Sequence, residues 1–106
     1  MVPDGAQMRD LYPIPGRVEV GVEYKWVNDD GKTVRLRVHG PDGSAPEGSN
    51  SANGPTCRVQ VGSKYMDVDG VFYPPRVHNH NSSNYNPDAA NATHIPWPEG
   101  VPLPWE

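Results

Sequence analysis

The most chemically suggestive stretch of the chain is TVRLRVH at residues 33–39, where arginine and histidine alternate with apolar residues. Alternate side chains of a strand share one face at a spacing of about 7 Å, so Arg35, Arg37 and His39 are expected to project together. Arginine binds phosphate oxygens in a bidentate manner, and histidine transfers protons near neutral pH. Metal-free RNA cleavage needs a general base, a general acid and cations that stabilise the phosphorane. The pattern therefore suits phosphodiester chemistry.

The same face also has a purely structural interpretation. Acidic residues occupy alternate positions of the preceding stretch, and the arginines could pair with Glu19 or Glu23 across a hairpin, as opposite charges on neighbouring strands often do. Arg58, in a later alternating stretch, joins the basic face only if its strand is a neighbour. Spacing alone leaves both interpretations open.

A second candidate lies near the C-terminus, in THIP at residues 93–96. A residue before proline is restricted to extended backbone, so the ring of His94 is held in one direction. The hydroxyl of Thr93 could bind phosphate or orient the ring. The alternative is a histidine with a structural role in a loop.

The stretch HNHN at residues 78–81 could contribute to a metal site. His78 and His80 have the His-x-His spacing, and His94 could be a further ligand. The sequence offers no recognisable second ligand pair, so we expect no bound metal and no cofactor. Phosphate-binding glycine loops and nucleophile elbows do not occur in the chain.

Hydrophobic periodicity predicts a β-rich domain that must position these residues. Period-two alternation indicates a hairpin around residues 28–32, and a 16-residue stretch at 40–55 rich in Gly, Pro, Ser and Asn is a long loop of the functional or disordered kind. We expect one small twisted antiparallel sheet of four or five strands with at most one short helix. The predicted strands lie at 17–27, 33–39, 57–61, 64–66 and 71–73, and the helix lies at 87–92.

Composition narrows the class of protein. The chain has 106 residues with 13 Pro and 11 Gly, too many helix breakers for a helical bundle. Its net charge of −4 excludes a uniformly basic nucleic-acid binder but leaves room for a local basic patch. A single cysteine, Cys57, cannot form an internal disulfide and is expected in the core.

The chain is expected to hold a single domain. We predict a linker or irregular N-terminal arm at 1–16 and the domain at 17–106. No run approaches 18 apolar residues, so membrane insertion is not expected. Residues 1–10 lack the apolar segment of a signal peptide, so delivery would depend on other machinery or on a larger parent chain.

Three groups of segments together resemble a known family. They are RVHGPD at 37–42 with GSNSA at 48–52; RVQ at 58–60 with KYMD at 64–67 and GVFYP at 70–74; and NY at 84–85, AAN at 89–91 and THIP at 93–96. This order is similar to the C-terminal toxin domains of bacterial polymorphic toxins, near the type 30 group. Such domains end large Rhs, contact-dependent inhibition or type VI secretion effectors. The resemblance covers residues 24–97.

The resemblance implies a toxin, commonly a nuclease and often an RNase, that a cognate immunity protein neutralises. The family motifs match at His39, Arg58, Lys64, Thr93 and His94, which are the expected catalytic residues. Arg35 and Arg37 are expected to bind substrate from the face argument, and Arg35 has no support from the family.

The leading hypothesis is a metal-independent endoribonuclease that cuts tRNA or rRNA in the cytoplasm of a target bacterium, with a 2′,3′-cyclic phosphate product. His39 and His94 would share the acid and base roles. The alternatives are a metal-dependent nuclease using His78, His80 and His94, and a β binding module without enzymatic activity.

Overall fold

One antiparallel sheet organises the protein. The computed structural model describes residues 2–79 and 81–106. The strands are β1 (Gln7–Asp10), β2 (Gly21–Val27), β3 (Thr33–His39), β4 (Thr56–Val61), β5 (Lys64–Met66), β6 (Phe72–Tyr73) and β7 (Ile95–Pro96). The helices are α1 (Asn50–Asn53), α2 (Pro87–Ala92) and a 3₁₀ helix at Pro75–His78.

The first six strands lie in chain order across the sheet. On the side of β4 that faces away from β3, two strands pair with it: β5 at Val59–Val61 and β7 at Thr56 and Cys57. This arrangement places β7, and with it the segment around His94, next to the beginning of β4.

The mainly β class and the single antiparallel sheet are confirmed. The sheet has seven strands where four or five are predicted, and two short α-helices where at most one is predicted. The additional elements have two to four residues, which is too short for a hydrophobic period to reveal. Within the segment 1–16, predicted as a linker or irregular arm, β1 pairs with β2 as an edge strand.

The two faces of the sheet differ in chemistry because β3 and β4 alternate strictly. Val34, Leu36 and Val59 form the core of the apolar face. Tyr24, Trp26, Cys57, Val61 and Met66 pack against them. Burial raises the pKa of the Cys57 thiol, and its predicted place in the core is confirmed.

The other face of β3 and β4 is polar. The loop at 40–55, the 3₁₀ helix and α2 contribute residues that line a cavity together with Arg58 and Tyr65 of this face. Among the described residues, no helix is long and apolar enough to cross a membrane.

Candidate functional site

A polar cleft lies between the polar sheet face and the segments that cover it. It consists of a cavity of about 510 Å³ and an adjoining one of about 150 Å³. Asp42, Ser51, Arg58 and His94 line both cavities, so the two lie side by side. His78 lines the larger cavity and His39 the smaller one, which gathers three of the four histidines of the chain around Arg58.

The C-terminus of α2 orients His94. The last carbonyls of a helix have no partner within it, and the Ala90 carbonyl accepts a hydrogen bond of 2.8 Å from His94 Nδ1. Because Nδ1 donates, Nε2 of the neutral ring carries the lone pair. Burial lowers the pKa of His94, and the Arg58 charge lowers it further, so the ring is neutral at pH 7. His94 therefore offers a base at Nε2.

Thr93 is fully buried and acts on His78. Its hydroxyl lies 2.9 Å from the Ala90 carbonyl and 2.9 Å from Nε2 of His78, and it can donate its single proton to either acceptor. A fully buried hydroxyl cannot contact a bound phosphate directly. From this position Thr93 can orient a ring, as the sequence suggests, but the ring is that of His78.

His78 fixes the guanidinium of Arg58. Nη2 of Arg58 lies 3.1 Å from Nε2 of His78, and because arginine only donates, Nε2 accepts in that contact. Nδ1 of His78 then donates to the Pro75 carbonyl at 3.3 Å. Burial and the Arg58 charge lower the pKa of His78, which agrees with a neutral ring.

Arg58 is a half-buried cation with no carboxylate partner among the described residues. Its guanidinium stacks 4.4 Å above the Tyr65 ring, and its Nε is buried without a hydrogen-bond partner. Burial lowers the pKa of the guanidinium. An unpaired buried donor costs about 1–3 kcal/mol, and a hydrogen-bond acceptor bound beside Nε would remove that cost.

His39 is the third histidine of the cleft. Burial, with the charges of Arg58, His94 and Arg37, lowers the pKa of His39 to about 4. Its Nδ1 is buried without a partner beside Gly21, where a Cβ would lie 3.4 Å from that nitrogen and only 3.0 Å from Leu11 Cδ1. Glycine at 21 therefore avoids a tight contact with the Leu11 side chain and with the Val38 carbonyl, 3.1 Å from such a Cβ.

Asp42 places one negative charge in the cleft. Its Oδ1 accepts hydrogen bonds from the Ser44 amide at 2.8 Å and the Ser44 hydroxyl at 2.7 Å, and Arg17 Nε donates to that hydroxyl at 2.9 Å. Partial burial raises the pKa of Asp42, but the Ser44 hydrogen bonds and the Arg17 charge outweigh it, so the pKa is lowered. Asp42 is ionised, and its charge faces the histidines.

The structure brings together His39, Arg58, Thr93 and His94 among the residues expected to do chemistry. It does not bring Lys64 to the cleft: Tyr65 lines the cavity, and Lys64, one position earlier, lies exposed on the opposite face of β5. Arg35 lies 3.2 Å from Glu23 rather than in the cleft.

Arg37 lies between Arg58, which lines the cleft, and Glu23, which pairs with Arg35. It lies opposite Arg58 in the β3–β4 register, 3.9 Å from Glu23 and 3.5 Å from Gln60. The structural alternative for the basic face, pairing with Glu23 across the hairpin, is thus observed for both Arg35 and Arg37.

Sequence reasoning considered His78 only as a metal ligand and assigned no role to Asp42. The sequence could have indicated Asp42, because it is the last residue of the RVHGPD segment that resembles the family. The described residues contain no group of three or more His, Cys, Asp or Glu side chains arranged to hold a metal ion. His80, one of the three ligands of the metal alternative, lies outside the described residues.

The fold and the cleft define a small β domain with a cleft lined by three histidines and Arg58. The sequence profile of the bacterial toxin 30 family matches residues 1–98, nearly the whole chain. The chain belongs to this family and is a bacterial toxin domain of the polymorphic toxin type. No curated protein and no solved structure matches it.

Proposed function

We propose that this toxin domain is a metal-independent endoribonuclease. One observation carries the proposal: Arg58, which has no carboxylate partner within residues 2–79 and 81–106, lies in the same cleft as a neutral histidine, His94, whose Nδ1 is held by the Ala90 carbonyl. An RNA phosphodiester supplies the anion that the arginine lacks. It also supplies the 2′-hydroxyl proton that a histidine base can take.

The reaction is a transesterification in which the 2′-oxygen displaces the 5′-oxygen at phosphorus. Nε2 of His94 takes the proton of the 2′-hydroxyl, and the 2′-oxygen attacks phosphorus. The bond from phosphorus to the 5′-oxygen breaks, and His39 gives that oxygen a proton. The products are a 2′,3′-cyclic phosphate and a 5′-hydroxyl. His39 must be protonated first, and the charge of the bound phosphate favours that form because it raises the pKa of the ring.

The cations stabilise the charge that develops on the phosphorane oxygens. Arg58 is oriented before substrate arrives, because His78 and the Tyr65 ring hold its guanidinium. Such preorganised groups need no rearrangement at the moment of reaction. Arg37, opposite Arg58 on the neighbouring strand, adds a second cation. Thr93 acts through His78. Lys64 and Arg35 take no part in this chemistry.

The substrate is tRNA or rRNA in the cytoplasm of a target bacterium. The domain reaches it as part of a secreted parent effector, and a cognate immunity protein neutralises it in the producing cell. Membership of the toxin family supports the parent effector and the immunity protein as partners.

The test is incubation of the purified domain with total cellular RNA, with and without EDTA. Cleavage in EDTA, with a 2′,3′-cyclic phosphate at the new end and no cleavage of a 2′-deoxy substrate, supports the proposal. Cleavage that EDTA abolishes supports a metal-dependent nuclease instead. Absence of cleavage of RNA and DNA by the folded domain contradicts both and supports a binding module.

A further inference from the structure

Four charged residues form one row across the polar face of the first four strands. Arg9 lies opposite Glu23, Glu23 opposite Arg37, and Arg37 opposite Arg58. Side chains directly opposite one another in antiparallel strands share a face. With neighbouring strands about 4.8 Å apart, the row is about 14 Å long. One end is the β1 edge of the sheet, and the other is the cleft, which Arg58 lines.

A second row beside it adds two cations, because Lys25 lies opposite Arg35 on the same face. The two rows contain five of the nine basic residues of the chain and one carboxylate, although acids outnumber bases 13 to 9 overall. These residues, which we call the cationic sheet face, are Arg9, Glu23, Lys25, Arg35, Arg37 and Arg58.

Glu23 is the centre of this face. Its side chain is only 2% exposed, although Arg9 is 63% exposed and Arg35 is 35% exposed. Arg9 Nε donates to Oε2 at 2.7 Å, Arg35 Nε lies 3.2 Å from Oε1, and Arg37 Nε lies 3.9 Å from Oε2. A single carboxylate cannot neutralise three guanidinium groups. It holds them in place and leaves two positive charges in excess.

We propose that the cationic sheet face binds the phosphate backbone of an RNA strand as it leaves the cleft, with Glu23 as the positioning residue. The proposal rests on the proposed function for the identity of the polyanion as RNA. Continuity favours RNA over an acidic protein: the row ends at Arg58, so a strand whose phosphate is held there has cations beside its next phosphates.

The test is binding of a 2′-O-methyl RNA of about twelve nucleotides, which cannot be cleaved through its 2′-oxygen, compared with the matching dinucleotide. Lys25→Gln removes an exposed cation from the face, and Arg9→Gln removes the cation farthest from the cleft. Each is expected to raise the Kd of the long RNA roughly three- to tenfold. Each should also reduce the slope of log affinity against log salt by about 0.7. Lys32→Gln, an exposed lysine in the β2–β3 turn, is the matched control and should change neither quantity.

Glu23→Gln distinguishes positioning from simple electrostatics. Removal of a negative charge would by itself strengthen RNA binding, whereas loss of the group that holds three arginines should weaken it. We expect weaker binding of the long RNA by the folded variant, as judged by its circular dichroism. Stronger binding would overturn the role of Glu23.

Failure of this proposal can be distinguished from failure of the proposed function. Long-RNA affinity that Lys25→Gln and Arg9→Gln both leave unchanged overturns the cationic sheet face as an RNA surface and leaves it to a protein partner, even if the domain cleaves RNA. Absence of cleavage by the wild-type domain overturns the proposed function, whatever the affinities.

Discussion

At the scale of single residues, the three histidines of the cleft have lowered pKa values, so their rings are neutral at pH 7. Burial is the first cause of the lowered pKa of His39, His78 and His94, and the nearby Arg58 charge adds to it in all three. If the cleft binds a phosphate as proposed, the negative charge of that phosphate should raise the pKa of these histidines.

The pH dependence of cleavage follows from these shifts. The proposed mechanism requires His94 to be neutral and His39 to be protonated in the free protein, and the pKa of both lies below the ordinary value of about 6.5. We therefore expect the optimum of kcat/KM, which reports the free enzyme, to lie below about pH 6.5. The kcat profile should be displaced to higher pH, because bound phosphate raises both pKa values. Measurement of both profiles with a short RNA substrate tests this.

His94→Ala should lower kcat/KM by about 10²–10⁴-fold with little change in thermal midpoint, because the half-buried ring makes one hydrogen bond to the backbone. A large loss of stability with unchanged specific activity would return His94 to a structural role.

Stability against pH provides a separate test of His39. Its folded pKa of about 4 lies below its unfolded value of about 6.5, so the unfolded chain binds the proton more readily. The wild type should therefore lose stability as pH falls from about 6.5 to 4, by about 1–2 kcal/mol from this ring once solvent screening is allowed for. His39→Gln should flatten that part of the curve in urea titrations. An equally steep decline in the variant would contradict the shift.

At the scale of elements, two short helices are joined behind the cleft by a pair of asparagines. The Asn50 amide donates to Asn91 Oδ1 at 2.9 Å, and Asn50 Nδ2 donates to the Asn91 carbonyl at 3.2 Å and the His94 carbonyl at 3.0 Å. These bonds fix α1, in the long loop, against the end of α2. The loop at 40–55 is thus an ordered wall of the site.

Asn50→Ala tests whether these hydrogen bonds between α1 and the end of α2 support the site. It removes two side-chain hydrogen bonds, and we expect a loss of about 1–2 kcal/mol of stability and roughly a tenfold fall in kcat as His94 loses its support. Asn53→Ala is the matched control from the same helix, because the Asn53 side chain is exposed and bonds only locally to the Gly48 carbonyl. Thermal melts and cleavage rates should separate the two variants, and equal effects would contradict the bridging role.

At the scale of the whole molecule, charge is distributed unevenly. The net charge is −4, yet the sheet face that leads into the cleft carries five cations and one carboxylate. An acidic protein with one basic face repels nucleic acid elsewhere on its surface. If the domain binds RNA as proposed, we expect the RNA to bind at the face that ends at Arg58.

Membership of a toxin family predicts the behaviour of cells that make the domain. Expression in a bacterium without an immunity partner should arrest growth, and His94→Ala, made at the same level and folded, should restore it. Colony counts after induction, with immunoblots for protein level, measure this. Healthy growth of cells containing abundant folded wild-type domain would contradict a toxic activity of this chain alone.

Local pattern determined much of the fold. The strands at 33–39 and 64–66 and the helix at 87–92 have the predicted bounds, because alternation of side chains and a proline at the first helical turn act over a few neighbouring residues. The same pattern correctly predicted the two faces of β3. It overlooked β1, β7 and α1, since segments of two to four residues form only by pairing or packing with distant ones.

The tertiary structure alone decided which polar residues meet. The sequence predicted His39, Arg58, Thr93 and His94 as site residues. His78 lies between Arg58 and Thr93 because the chain runs from β6 through the 3₁₀ helix to the cleft. Because successive side chains of a strand point to opposite faces, Lys64 lies on the face of β5 away from the cleft, whereas Tyr65 lines it. The burial that lowers the pKa of the three histidines depends on contacts between segments far apart in the chain. The two-residue alternation along a strand does not specify such contacts.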